Sequence, residues 1–219
     1  MKFAVLVFPG TNCERDMYDA ITYELGQDAA YVRHDNADPA ALDAFDVITV
    51  PGGSSYGDAL RPGAIAAHAP VMPALHKANA QGKRILGICN GFQILTEAGL
   101  LPGALLRNPS MQFICKTTPI KVVTNQSPFT RLYENGAVVQ YPIAHGSGNY
   151  YCDPQTLADM QAHNQILFTY EDNPNSSLSN IAGVTNKAGN VLGLMPHPER
   201  ALNMVVGNAD GLPLFKALV

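Results

Sequence analysis

Charge is scarce in this chain. Only 15% of its 219 residues are Asp, Glu, Lys or Arg, against a usual ~25%. The net charge is −4 with no basic cluster, which argues against a nucleic-acid partner. So sparse a charge is compatible with surface set aside for protein partners and equally with plain polar substitution. The four cysteines, Cys13, Cys89, Cys115 and Cys152, lie far apart and include no metal-like pair. A reduced, cytoplasmic chain is the simplest expectation. No apolar run approaches the ~18 residues that a membrane helix needs. The apolar start, Met1 to Phe8, is short, stops at Pro9-Gly10 and precedes no small-residue cleavage site, so it reads as a first buried strand. Neither Gly-x-x-x-x-Gly-Lys-[Ser/Thr] nor Gly-x-Gly-x-x-Gly after a strand occurs. Any nucleotide that the activity needs must then bind elsewhere. Repeats, low-complexity tracts and long linkers are also missing, so residues 1–219 are expected to form one domain.

What is present is an alternation of apolar strands and helices. Strands are expected at 3–8, 29–33, 46–50 and 84–88. Helices are expected from Asn12 to about Gln27 (capped by Thr11 or Asn12), at 39–44, within 62–82 and at 90–98. Such β–α units imply a parallel sheet covered on both faces. After Leu106 short β-branched runs at 112–117, 119–124, 137–143, 165–170, 180–185 and 191–195 suggest antiparallel strands, interrupted by one helix at 154–163. Turn-forming Asn173-Pro-Asn-Ser and Lys187-Ala-Gly-Asn link them. The expected class is α/β, a three-layer sandwich with an antiparallel portion in the C-terminal half.

One cysteine stands out. Arg84-Ile-Leu-Gly-Ile-Cys89-Asn-Gly-Phe-Gln93 places it between a strand and a helix as Gly87-x-Cys89-x-Gly91. Flanking glycines permit the strained strand-to-helix turn called a nucleophile elbow. The side chain then sits at a helix N-terminus, where unpaired N–H groups favour a thiolate. Cys13 also follows a strand and opens a helix, but its Pro-Gly-Thr-Asn approach lacks the tight elbow, so Cys89 ranks above it. A nucleophile needs a base and the base an orienter. Met195-Pro196-His197-Pro198-Glu199-Arg200 supplies both. Each proline disfavours helix in the residue before it, so His197 is expected extended, with Glu199 on the same face. A carboxylate there fixes the imidazole tautomer and stabilises the imidazolium.

The strand 46–50 ends in Pro51-Gly52-Gly53-Ser54-Ser55. Gly53 N–H and Asn90 N–H are candidate oxyanion donors around a carbonyl attacked by Cys89. The turn is flexible by composition, so its donors are expected to be ordered by a partner. The remaining histidines, His34, His68, His76 and His163, stand alone, and His145 before Gly146-Ser147-Gly148 reads as a loop or interface residue.

Gly87-x-Cys89-x-Gly91-x-Gln93 with the later His197-Pro198-Glu199 resembles the class I, triad-type glutamine amidotransferases. Further strings narrow the resemblance: Phe8-Pro-Gly-Thr-Asn-Cys-Glu-Arg-Asp16, Ser55-Tyr-Gly-Asp58, Arg107-Asn108-x-Ser110-x-x-Phe113 and Pro142-Ile-Ala-His-Gly146. Together they are similar to the glutaminase subunits of phosphoribosylformylglycinamidine synthases, which act in purine biosynthesis. Departures lie at Ser54, Ala59 and Ser147, none of them in the triad. The resemblance implies a flavodoxin-like sheet and attack of Cys89 on the side-chain amide of L-glutamine. It also implies Gln93 as a substrate-binding residue, with Arg107, Asn108 and Phe113 as weaker candidates. No metal or cofactor is expected on this chain; ATP and Mg are expected on a large synthase subunit, and a third small subunit completes the complex. Two other classes remain open: a cysteine hydrolase or redox-responsive protein of the same architecture, and a non-catalytic assembly subunit.

Overall fold

A computed structural model describes all 219 residues. Eleven strands and five α-helices follow one another along the chain. The first half holds β1 (Lys2–Val7), α1 (Glu14–Asp19), β2 (Asp28–Arg33), β3 (Val47–Val50), α2 (Met72–Ala80), β4 (Arg84–Ile88) and α3 (Asn90–Glu97). The second holds β5 (Ala104–Leu106), β6 (Ile114–Val122), β7 (Val138–His145), β8 (Asn149–Tyr151), α4 (Pro154–Ala162), β9 (Ile166–Tyr170), β10 (Ile181–Thr185), β11 (Val191–Leu194) and α5 (Leu212–Ala217). Nine strands form one sheet in the order β2-β1-β3-β4-β11-β10-β9-β6-β7, and β5 pairs with β8 alone. The α/β expectation is borne out. β3 and β11 are buried along their whole length, and β1 at Phe3–Leu6, as strands covered on both faces must be.

The antiparallel strands do not form a separate unit; they continue the parallel sheet. The hinge of this arrangement is β11. Read as one more antiparallel strand, it instead runs parallel to β4, with Val191 opposite Ile85 and Leu194 opposite Ile88, and antiparallel only to β10. A near-hundred-residue excursion thus returns the chain beside the elbow strand, and Cys89 N–H donates to Leu194 O at 2.8 Å.

Other local departures have visible causes. α1 starts at Glu14 rather than Asn12, because the candidate caps are engaged elsewhere: Thr11 Oγ1 accepts from Phe8 N–H (2.9 Å) and Asn12 Oδ1 from the Cys13 thiol (3.1 Å). Residues 39–44 form successive three-residue turns instead of a helix, with Asp38 Oδ1 holding Ala40 N–H. The two runs 112–117 and 119–124 are one strand, β6, that passes through Pro119. The proline falls where β9 ends and offers its carbonyl to Glu171 N–H on that side, so its missing N–H breaks nothing in the β7 ladder.

Candidate active site

The elbow is built by two glycines in close contact. A Cβ on Gly91 would run into the Val50 carbonyl, and one on Gly87 into Leu95 and the Gly91 backbone. The tight crossing this permits holds Cys89 at φ 51°, ψ −106°, a left-handed conformation that a side chain rarely adopts. Cys89 is 6% exposed at the N-terminus of α3, and its thiol faces the Ala144 carbonyl at 3.7 Å.

His197 and Glu199 are buried together, and Nδ1 of the imidazole meets Oε1 of the carboxylate at 2.6 Å. Their shared side comes from a route other than the extended chain expected. His197 is roughly extended (φ −106°, ψ 82°), but Pro198 opens a short 3₁₀ turn, Pro198–Arg200, that carries Glu199 back to the Nδ1 edge of the ring. Burial pulls the His197 pKa down, but the Glu199 carboxylate and the adjoining Cys89 sulfur outweigh it and raise the value to about 10. Nε2 is buried with no partner, and so is Glu199 Oε2. Catalytic hydrogen bonds often close only once substrate is bound.

The turn after β3 is not the loose segment that its composition suggests. Asn12 N–H and Cys13 N–H both donate to Gly52 O (3.4 and 3.3 Å), Ser54 N–H to Gly10 O (3.0 Å), and Ser55 N–H to Asn90 Oδ1 (3.0 Å). This laces it to the loop after β1 through a Thr11–Gly53 bridge. Gly53, at φ +141°, packs so closely on residues 10–12 that a Cβ would fall 2.7 to 2.8 Å from their backbone. Its N–H and that of Asn90, first residue of α3, are used in no hydrogen bond. Both candidate donors are therefore positioned by the fold itself.

A cleft of about 680 Å³ opens over Cys89, lined by Gly53, Gln93, Arg107, Phe113 and Ser147 among others. Gln93 is nearly buried, with its amide engaged at both ends: Oε1 accepts from Asn90 Nδ2 (2.9 Å), and Nε2 donates to Ser147 O (2.7 Å). It bridges elbow and loop, which leaves fewer of its atoms for a ligand. Asn108 stands away from the cleft. It is fully buried, donating to Gln112 O and His145 O and accepting from Gly148 N–H, so it shapes the 145–148 loop from behind rather than lining the site. Arg107 is exposed with no carboxylate partner, whereas Arg61 on the same cleft is paired with Glu97 at 2.6 Å. Phe113, 67% exposed, lies at the mouth.

His145 stands where strand gives way to the 145–148 turn. It ends β7, is buried and lines the cleft; its Nε2 accepts from Asn175 Nδ2 at 3.0 Å. Burial, with His197 nearby, lowers its pKa to about 4, so the ring is neutral. Sequence reasoning missed Asp16 and Arg200, which meet at 2.9 Å behind the site, with Arg200 Nη2 also donating to Cys13 Sγ (3.1 Å). Opposite charges at the ends of two distant motifs were the available signal. Cys13, set aside as nucleophile, nevertheless lies against the His197–Glu199 pair.

A thiol on an elbow, a buried imidazole–carboxylate pair at the next strand end and two free N–H donors make up the apparatus for acyl transfer through a cysteine. The family of CobB/CobQ-like glutamine amidotransferase domains matches residues 1–211, and the chain belongs to that family. A chain of the PurLQS structure from Thermotoga maritima is 44% identical, with a TM-score of 0.90 over 99% of this chain and 96% of that one. That match bears out the resemblance to glutaminase subunits of phosphoribosylformylglycinamidine synthases. The same fold recurs in a putative GMP synthase subunit from Thermoplasma acidophilum (17% identity, TM-score 0.68, covering 100% of this chain and 92% of that one). It recurs too in the glutaminase domain of CTPS from Trypanosoma brucei (16%, TM-score 0.63, covering 100% and 93%).

Proposed function

We propose that the chain hydrolyses L-glutamine to glutamate and ammonia, and that Cys89, His197 and Glu199 carry the reaction. The observation behind this reading is the buried 2.6 Å His197–Glu199 contact at a strand end adjoining the Cys89 elbow. Cys89 attacks the side-chain amide carbon, and the N–H groups of Gly53 and Asn90 take up the charge on the carbonyl oxygen. His197, held in one orientation by Glu199, protonates the departing ammonia. It then draws a proton from water, which cleaves the thioester to glutamate. Arg107 is the cation on the cleft best placed for the substrate carboxylate, and Gln93 shapes the floor beneath it.

The ammonia then serves a large ATP-dependent synthase subunit that converts formylglycinamide ribonucleotide to the amidine, assisted by a third small subunit. ATP and Mg belong to that partner in this reading, and the complex works in the cytoplasm. The 44% match over nearly the full length of a PurLQS chain supports the assignment. No helix of the chain is long and apolar enough to cross a membrane. The deciding experiment measures glutamate release and amidine formation in the reconstituted complex with glutamine, ATP and formylglycinamide ribonucleotide. Replacing Cys89 should abolish amidine formation from glutamine but leave formation from added ammonium salt. Loss of both, or of neither, would refute the division of labour.

A further inference from the structure

Cys13 takes no part in the reaction proposed above, yet it borders the catalytic pair. One donor atom each from Cys13, His197 and Glu199 lie within 4.8 Å of one another, and all three residues are buried. Glu199 brings an unpartnered buried atom, Oε2, beside the His197 Nδ1 that its other oxygen holds at 2.6 Å. We propose that these three side chains also form a site for a thiophilic divalent cation of the Zn²⁺ class, and that its occupancy stops glutamine hydrolysis by taking His197 out of the triad.

The donor set fits such an ion. Thiolate, imidazole and carboxylate are the zinc ligands of proteins, with bonds of about 2.0–2.3 Å in a tetrahedron. Tetrahedral ligands then stand roughly 3.3–3.8 Å apart; atoms within 4.8 Å of one another lie about an ångström from that spacing, and the 2.6 Å His197–Glu199 contact opens as the ion replaces the Nδ1 proton. Space is available because residue 52 is glycine. A Cβ there would lie 3.0 Å from His197 Cε1, 3.1 Å from Cys13 Sγ and 3.4 Å from Cys89 Cβ. A pocket of about 220 Å³, lined by Cys13, Cys89, His197 and Arg200, provides a way in and room for a water as fourth ligand. Outer support exists as well. Arg200 Nη2 donates to Cys13 Sγ and is braced by Asp16, which stabilises a thiolate at that position. Binding releases two protons to solvent, the thiol proton of Cys13 and the Nδ1 proton of His197, and no electrons move; Nε2 is left protonated and can take no proton from Cys89.

The effect on turnover rests on the reading of His197 as the base; metal binding itself does not. Co²⁺ serves as a spectroscopic probe on the full chain, because a Co–thiolate bond gives a sulfur-to-metal charge-transfer band. The band should form with one equivalent of Co²⁺ in wild type and in Cys89→Ser, and disappear in Cys13→Ser and Cys13→Ala. Circular dichroism on both Cys13 variants establishes that they are folded. Zn²⁺ should inhibit wild-type glutaminase at concentrations at least about tenfold lower than those needed for the Cys13 variants. A band that survives in the Cys13 variants but vanishes in Cys89→Ser overturns the proposal. So does equal inhibition of wild type and variants. A Cys13-dependent band in a protein without glutaminase activity would uphold the cation site and refute the functional reading instead.

Discussion

Two turns of this sheet look alike in sequence and differ in chemistry. Each ends a buried parallel strand, each leads into a helix, and each carries a cysteine: Cys13 after β1 and Cys89 after β4. At Cys89 two glycines let the backbone cross at van der Waals distance, and the residue is held at φ 51°. At Cys13 the backbone is ordinary (φ −103°, ψ 10°), and the thiol is tied to Asn12 and Arg200. Burial outweighs the Arg200 charge and raises the Cys13 pKa to about 12, so at neutral pH it is a thiol. In the proposed reaction a cysteine at a strand–helix junction serves as nucleophile through the backbone strain that presents it, and proximity to the imidazole is not enough. Cys13 lies within 4.8 Å of the His197–Glu199 pair and still lacks that presentation.

The sharpest way to break this comparison is to exchange the two roles. Cys89→Ser should reduce glutamine hydrolysis by about 10⁶-fold, as loss of a nucleophile does in hydrolytic triads, and a glutamine-mimicking electrophile should label Cys89 alone. Labelling at Cys13, with turnover persisting in Cys89→Ser, would reverse the assignment. Next in size, Glu199→Gln should cut kcat by up to about 10⁴-fold, since the imidazolium loses its counter-charge, while glutamine still binds. A variant as active as wild type would reduce the triad to a Cys–His dyad.

The same carboxylate has a signature in stability. The folded pKa of His197 is raised from 6.5 to about 10. Protonation of His197 therefore stabilises the fold fully below pH 6.5, and that contribution is lost as the pH rises toward 10. Urea midpoints of wild type should fall across this window. In Glu199→Gln, where burial is no longer opposed by that carboxylate, the fall should shrink or reverse; parallel pH profiles would show that Glu199 does not set the His197 charge. The smallest effect is expected at the other turn. Cys13→Ser should keep glutaminase activity within about threefold and lose roughly 1 kcal/mol of stability, measured by denaturant melts. A hundredfold loss of kcat would bring Cys13 into the reaction.

Much of this was legible in the chain because the signals are local. Gly87-x-Cys89-x-Gly91 predicts an elbow from the steric needs of three neighbouring residues, and His197-Pro198-Glu199 predicts a shared face from proline's fixed backbone. The parallel β–α units follow from apolar periodicity. Composition misled where partners are distant: Gly52-Gly53-Ser54-Ser55 reads as loose, yet the loop after β1 holds it with hydrogen bonds from residues about forty positions away. The resemblance implies Gln93 and Asn108 as substrate-binding amides, and in the structure each donates to a backbone carbonyl of the 145–148 turn, a contact that no local pattern announces.

By itself, then, the sequence determined the class of fold, the glycine-flanked elbow at Cys89 and the pairing of His197 with Glu199, since each depends on residues within a few positions of one another. Tertiary structure alone decided that β11 lies parallel beside β4, which brings His197 to Cys89. It alone decided that Arg200 reaches Asp16 and Cys13 across more than 180 residues, and that Cys13 faces the catalytic pair. The physical reason is that strand order and buried polar contacts are chosen by the packing of the whole sheet, where any one segment's preference is outweighed by the partners it must share.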